Sequence, residues 1–168
     1  MVSKGFEIKI DTEQWVLRLE NKVLYKSCAV DMKRAGMDIV TTLGKVMHSV
    51  FVEKEYKNSI ETVFIEGHTD QVDPGPKCPY RTNWELSTQR AINTWEIMKL
   101  GEPRLIKLRN TNKERIFSVS GYGETRLLTK IYDEKAINRR IDIRIAMIPP
   151  SVNNKPELIR ELEKKFSE

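Results

Sequence analysis

The chain has no run of apolar residues near the eighteen or more that a membrane-spanning helix needs. Its first residues, MVSKGFEIKID, contain no apolar h-region and do not read as a secretory signal. Cysteine is scarce: Cys28 and Cys78 are the only two, in no zinc-ribbon spacing, which excludes a disulfide-built mini-protein. They read as two buried or half-buried free thiols, and whether they face each other is not legible from spacing. No H-x-x-x-H, C-x-x-C or G-x-S-x-G pattern occurs, so the usual signatures of zinc and serine chemistry are missing. Nor is there a zinc finger, a helix-turn-helix or the aromatic motif of an RNA-recognition sheet. No period of 20–50 residues repeats, so solenoids and propellers are excluded.

What remains is 168 residues, 39% hydrophobic and 32% charged, enough for one ordinary domain with a real core. The formal charge is +5. Residues 1–99 and 151–168 are each balanced, so the whole excess lies in 100–150. Part of it is Arg139, Arg140 and Arg144, and part is the connection before them. A basic chain invites a nucleic-acid reading, but without a matching motif a solvated basic face explains the charge better, and no nucleic acid is expected.

Hydropathy patterning predicts the elements. Residues 6–10 and 14–18 alternate apolar and polar, the signature of strands buried on one face, with Asn21-Lys22 as a turn before Val23-Leu24-Tyr25. Gly36, Ile39, Val40, Leu43, Val46, Met47, Val50 and Phe51 form a 3.6-residue stripe, which predicts a helix over about 32–53 capped by Asp31. Residues 59–67 predict a strand, followed by a Pro/Gly-rich stretch, QVDPGPKCPYR, that cannot be regular. Thr82-x-x-Glu85 is a capping-box pattern opening a helix over about 83–100, with Ser87, Ala91, Trp95 and Met98 on one face. Residues 101–115 read as a charged connection, 116–119 as a short strand and 124–137 as a loop. Ile141, Ile143 and Ile145 alternate with Asp142 and Arg144 in a last strand over about 140–147. Pro149-Pro150 stops it, and Leu158, Ile159, Leu162 and Phe166 lie at helical spacing in the tail. The order predicts an α/β (α+β) sandwich, a mixed sheet of about four strands with helices on one face, spanning 1–150, and a helical tail over 151–168.

The segments VFIEGHTD (63–70), NWELSTQRA (83–91), SVSGYGE (118–124) and NRRIDIRI (138–145) occur in the order they take in a known family. Together they resemble the peptidoglycan-binding domain shared by outer-membrane protein A and the flagellar stator subunit MotB, over roughly residues 14–147. NWELS is closer to the MotB branch. The resemblance implies non-catalytic binding of the diaminopimelate-containing stem peptide of the cell wall, with no cofactor and no metal. It carries the ligand contacts onto Asp70 and Arg90, and the pocket wall onto Thr69, Asn83, Leu86 and Ser87. Asn138 and Arg140 fall on the later motif, Arg140 as a second cation near stem carboxylates.

The residue chemistry agrees. A carboxylate at the end of a strand and a guanidinium in the early turns of the next helix would form a receptor for a zwitterion. The ammonium pairs with Asp70 and the carboxylate with the fork of Arg90. The competing expectation is that Asp70 and Arg90 close a plain salt bridge, that Asn83 and Ser87 only cap the helix, and that Arg139 and Arg140 serve solubility on an edge strand. An enzyme or metal site built on His68, Asp70, Asp73 and Cys78 is the other alternative, with His68 as base.

The resemblance further implies a periplasmic domain of an inner-membrane ion-driven motor, acting as a homodimer beside a MotA-like channel subunit. The required transmembrane helix is not in this chain, which is therefore expected to be an excised periplasmic fragment with a start Met supplied. MotB-like domains also occur in the ZorB-type subunit of Zorya anti-phage defence, and the 101–115 connection and helical tail fit such a specialised motor. A domain that has lost wall binding and serves dimerisation is a further alternative. Lys77, Cys78 and Tyr80 of the Pro-rich loop match no family pattern.

Overall fold

In a computed structural model, residues 9–11 and 13–148 are described. The tail predicted to be helical lies outside them. Five strands form one sheet: β1 (Lys9–Asp11), β2 (Val16–Glu20), β3 (Ile60–His68), β4 (Phe117–Gly121) and β5 (Arg140–Met147), in the order β1-β2-β5-β3-β4. β1 and β2 overlap the alternating segments 6–10 and 14–18, and with the three-residue edge piece β1 the sheet has one strand more than the expected count of about four. β3 and β4 are parallel and all other neighbours antiparallel. A parallel pair needs a crossover, and helix α3 (Asn83–Gly101) supplies it. Helix α2 (Arg34–Phe51) packs beside α3. None of the described helices is long and apolar enough to cross a membrane.

Strand register divides the side chains by face. Val63, Ile65, Ile141, Ile143 and Leu19 join Val40, Leu43, Met47 and Phe51 of α2 and Ala91 and Met98 of α3 in one core. Val46, expected on the buried stripe, lies exposed. The alternate residues make the other face of the sheet a charge ladder. Arg18 and Arg140 both pair with Asp142, and Arg144 pairs with Glu66 at 2.6 Å. Glu66, Arg140 and Asp142 are buried and paired, as low dielectric requires, while Arg18 and Arg144 stay partly exposed.

Several local expectations are corrected. Asn21–Leu24 forms one helical turn, α1. Helix α2 begins at Arg34, with Lys33 at its N-cap and no side-chain cap, so Asp31 does not cap it. The reason is tertiary: Met32 bridges back to Tyr25 and the Lys33 amide donates to Leu24 O, which closes residues 25–33 into a loop that returns on itself through a turn at 26–29. The 101–115 connection contains a 3-10 turn, Pro103–Lys107, that inserts Leu105 into the core, and residues 124–137 end in another, Tyr132–Asn138. Cys28 and Cys78 are not free thiols. They form a disulfide with Cα atoms 5.7 Å apart, because residues 26–31 and the 71–82 loop are brought together across the end of the sheet.

Candidate functional site

Two glycines decide how closely α3 approaches the strand ends. A Cβ on Gly67 of β3 would overlap the Ser87 carbonyl, and one on Gly121 of β4 would overlap Thr88. The first turns of α3 therefore rest directly on β3 and β4. The helix starts where the sequence predicts: Thr82 Oγ1 accepts from the Glu85 amide at 3.1 Å. The Glu85 carboxylate returns to the Arg81 amide at 2.7 Å.

Beside this junction lies a cleft of about 680 Å³. Thr69, Asp70, Asn83, Leu86 and Arg90, five of the eight residues singled out from sequence, line it. Asp70 lies two residues past the end of β3 at His68, with its Oδ1 accepting from the Val72 amide at 3.1 Å. Asn83 Nδ2 donates to the carbonyls of Asp70 and Val72, so it fixes the start of the 71–82 loop. Thr69 donates its amide to Gly123 O at 2.9 Å, while its buried hydroxyl has no partner among the described residues.

Arg90 is 3% exposed. Its Nε donates to Ala29 O at 2.9 Å and its Nη2 to Lys26 O at 3.2 Å, and the Tyr25 ring lies 5.3 Å from its Cζ. Tyr25 itself is held by its hydroxyl on Arg90 O and Thr94 Oγ1, and burial pushes its phenol up to about 12. Burial lowers the Arg90 guanidinium to about 10, which leaves it charged at neutral pH. It forms no ion pair with any carboxylate among the described residues. A guanidinium offers a side-on edge (Nε and Nη2) and an end-on edge (Nη1 and Nη2). Backbone carbonyls occupy the side-on edge, so the end-on edge is the one left for a ligand carboxylate.

Asp70 and Arg90 do not form the salt bridge that was the competing expectation. Asp70 Oδ2 instead accepts from Arg139 Nη1 at 2.6 Å. The cleft is lined by six cationic side chains, Lys22, Lys26, Lys33, Arg90, Lys135 and Arg139, against the carboxylates Asp70 and Asp73. Its field favours an anionic ligand.

Three expected residues do not reach the cleft. Ser87 is fully buried on the strand side of α3, donating to Trp84 O and accepting from the Gly123 amide at 3.0 Å. Asn138 pins the loop before it, accepting from the amides of Leu128 and Thr129 and donating to Thr129 O. Arg140 is 4% exposed on the far face of the sheet, bonded to Asp142 and to the carbonyls of Asn138 and Arg126. Alternation explains the exchange of roles: Arg139 shares the parity of Ile141 and Ile143, on the helix face, and Arg140 that of Asp142. The same alternation in the sequence was the signal that would have selected Arg139.

The base and metal alternatives find no geometry. His68 points to the far face, stacked on Tyr122 at 5.3 Å, with Nε2 3.7 Å from Asp142 Oδ2 and neither ring nitrogen hydrogen-bonded among the described residues. Burial first, then the Arg140 charge, lowers it to about 3, so it is neutral. Cys78 is bonded to Cys28, and among the described residues no three His, Cys, Asp or Glu side chains are grouped to hold a metal.

Comparison with known proteins agrees with this architecture. Residues 41–140 match the OmpA family. No curated protein matches the chain. Among solved structures, the periplasmic domain of Helicobacter pylori MotB is 18% identical, covers 91% of this chain and 87% of its own, and superposes with a TM-score of 0.61. A putative MotB-like protein from Desulfovibrio vulgaris is 21% identical over 79% of this chain and 75% of that one, with a TM-score of 0.61. The cell wall anchor of the T6SS from Pseudomonas aeruginosa is 18% identical over 79% and 81%, with a TM-score of 0.59. At such identities the likeness is one of fold. The family match, over more than half the sequence, is what places it: the chain belongs to the OmpA family, with the fold of MotB periplasmic domains.

Proposed function

We propose that this chain is a non-catalytic cell-wall-binding domain that receives the diaminopimelate stem peptide of peptidoglycan in the Asp70–Arg90 cleft. The observation that carries the reading is Arg90: a buried, charged guanidinium with no carboxylate partner among the described residues, lining the same cleft as Asp70. A buried cation without a counter-ion is costly, and a ligand carboxylate on its end-on edge offsets that cost. Asp70 supplies the anion for the ligand's ammonium, and the surrounding lysines draw in a wall peptide rich in carboxylates. The name of the Pseudomonas relative, a cell wall anchor, and the MotB fold support the same role. The disulfide suits the oxidising periplasm. In this reading the domain works as a homodimer and ties an inner-membrane, MotA-like channel complex to the wall.

Sedimentation with purified sacculi tests it. The wild type is expected to pellet, and Asp70→Asn and Arg90→Lys to stay in the supernatant. Lysine keeps the charge at 90 but lacks the planar fork that holds two carbonyls on one edge and a carboxylate on another. If both variants pellet like the wild type, the cleft is not the receptor.

A further inference from the structure

The disulfide joins Cys28, which lines the cleft, to Cys78 of the 71–82 loop, whose Val72, Asp73, Pro74 and Gly75 line it too. Cys28 lies between the two residues, Lys26 and Ala29, whose carbonyls hold Arg90. Next to them, Val30 O accepts from Asn93 Nδ2 at 2.9 Å, one turn along α3. Cys78 lies in the irregular 71–82 loop, which leaves β3 beside Asp70 and ends at Thr82, the cap of the helix that carries Arg90. The bond thus connects the segment gripping Arg90 to the loop that begins at Asp70. Cys28 also has φ of 51°, a left-handed conformation that an L side chain keeps only when its surroundings impose it.

We propose that the Cys28–Cys78 disulfide is a positioning cross-link for ligand recognition: it keeps the Lys26 and Ala29 carbonyls on the side-on edge of Arg90, and so aims the end-on edge into the cleft. Without it, the 26–29 turn relaxes from its left-handed residue, the carbonyl pair separates and the guanidinium samples several rotamers. A carboxylate then meets a cation that must be ordered on binding, and affinity falls. Neither cysteine belongs to the core cluster, so the packing of the sheet against α2 and α3 is expected to survive loss of the bond. The binding consequence rests on the cleft being the stem-peptide receptor; the effect on Arg90 does not.

The test compares oxidised wild type, wild type reduced with a water-soluble phosphine, and C28S/C78S. The phosphine attacks one sulfur and breaks the S–S bond; water then supplies the oxygen of the phosphine oxide and the protons of the two thiols. The first readout is the NMR signal of the Arg90 Nε–H, assigned by its absence in Arg90→Lys, and its exchange with solvent. The second is calorimetric titration with a synthetic stem tripeptide containing meso-diaminopimelate. We expect the Arg90 proton to exchange at least tenfold faster, and the peptide to bind at least tenfold more weakly, in both disulfide-free forms. Backbone amide signals of β3 and β5 should stay in place. Unchanged Arg90 exchange overturns the proposal. So does loss of the β3 and β5 signals in both forms, which would make the bond a staple of the whole fold. If the oxidised wild type fails to bind the tripeptide, the receptor reading falls, while the exchange rates still judge the cross-link.

Discussion

Arg139 donates to Asp70 across 2.6 Å, so the carboxylate expected to receive a ligand's ammonium is already answered by a cation of the chain itself. Arg139 is 39% exposed at its side chain and Asp70 only 7%, which makes the arginine the mobile partner and the carboxylate the fixed one. An incoming ammonium must share Asp70 with Arg139 or turn it out toward solvent.

Arg139→Gln is therefore expected to leave a buried carboxylate with one amide donor, and to lower stability by about 1 kcal/mol, a modest value because the lost cation is half in solvent. Urea unfolding checks this. The sharper outcome is in thermal shift: saturating stem peptide should raise the variant's Tm more than the wild type's, since its ammonium supplies the missing charge. Equal shifts would mean that the ligand does not use Asp70.

Gly67→Ala sets a side chain against the Ser87 carbonyl, a backbone group that cannot move aside without α3. The variant should lose about 2–3 kcal/mol, the cost of overpacking, and bind wall peptide less well because Leu86 and Arg90 travel with the helix. Gly75, in the cleft loop, has nothing within 4 Å of an added Cβ. Gly75→Ala should change stability by no more than about 0.5 kcal/mol. Equal unfolding midpoints for the two variants would refute the close-approach account.

His68 makes stability depend on pH. Its folded pKa is depressed to about 3 from an ordinary 6.5, so as pH falls through that window the unfolded chain takes up the proton first. The contribution is complete above about 6.5 and is lost progressively down to about 3, at roughly 1.4 kcal/mol per pH unit. Between pH 7 and pH 5 the wild type should lose about 2 kcal/mol more than His68→Gln does, measured by urea unfolding. Parallel losses, or a His68 ring that titrates in NMR above pH 5, would contradict the buried neutral imidazole.

Much of the chain is legible because its signals are local. The stripe in 36–51, the Thr82–Glu85 pair and the alternation of Ile141, Ile143 and Ile145 each depend on neighbours a few residues away, and helix, cap and strand follow within two or three residues. The failures share one cause. Asp31 has the side chain of a cap, but the bridge between Met32 and Tyr25 moves the start of α2 beyond it. Ser87 and Arg140 belong to the right motifs, yet helix packing and strand parity turn them inward and to the far face.

By itself, the sequence determined the family motifs, the order of helices and strands, and the placing of Asp70 just past a strand and Arg90 in the early turns of the next helix, because periodicity and caps act over one or two turns of chain. Only the tertiary structure decided which charges meet. Arg139 takes Asp70, two backbone carbonyls take one edge of Arg90, and Cys28 finds Cys78 fifty residues away. Such pairings depend on which face each side chain leaves and how near the glycines let α3 come, and neither distance is written in the spacing of residues.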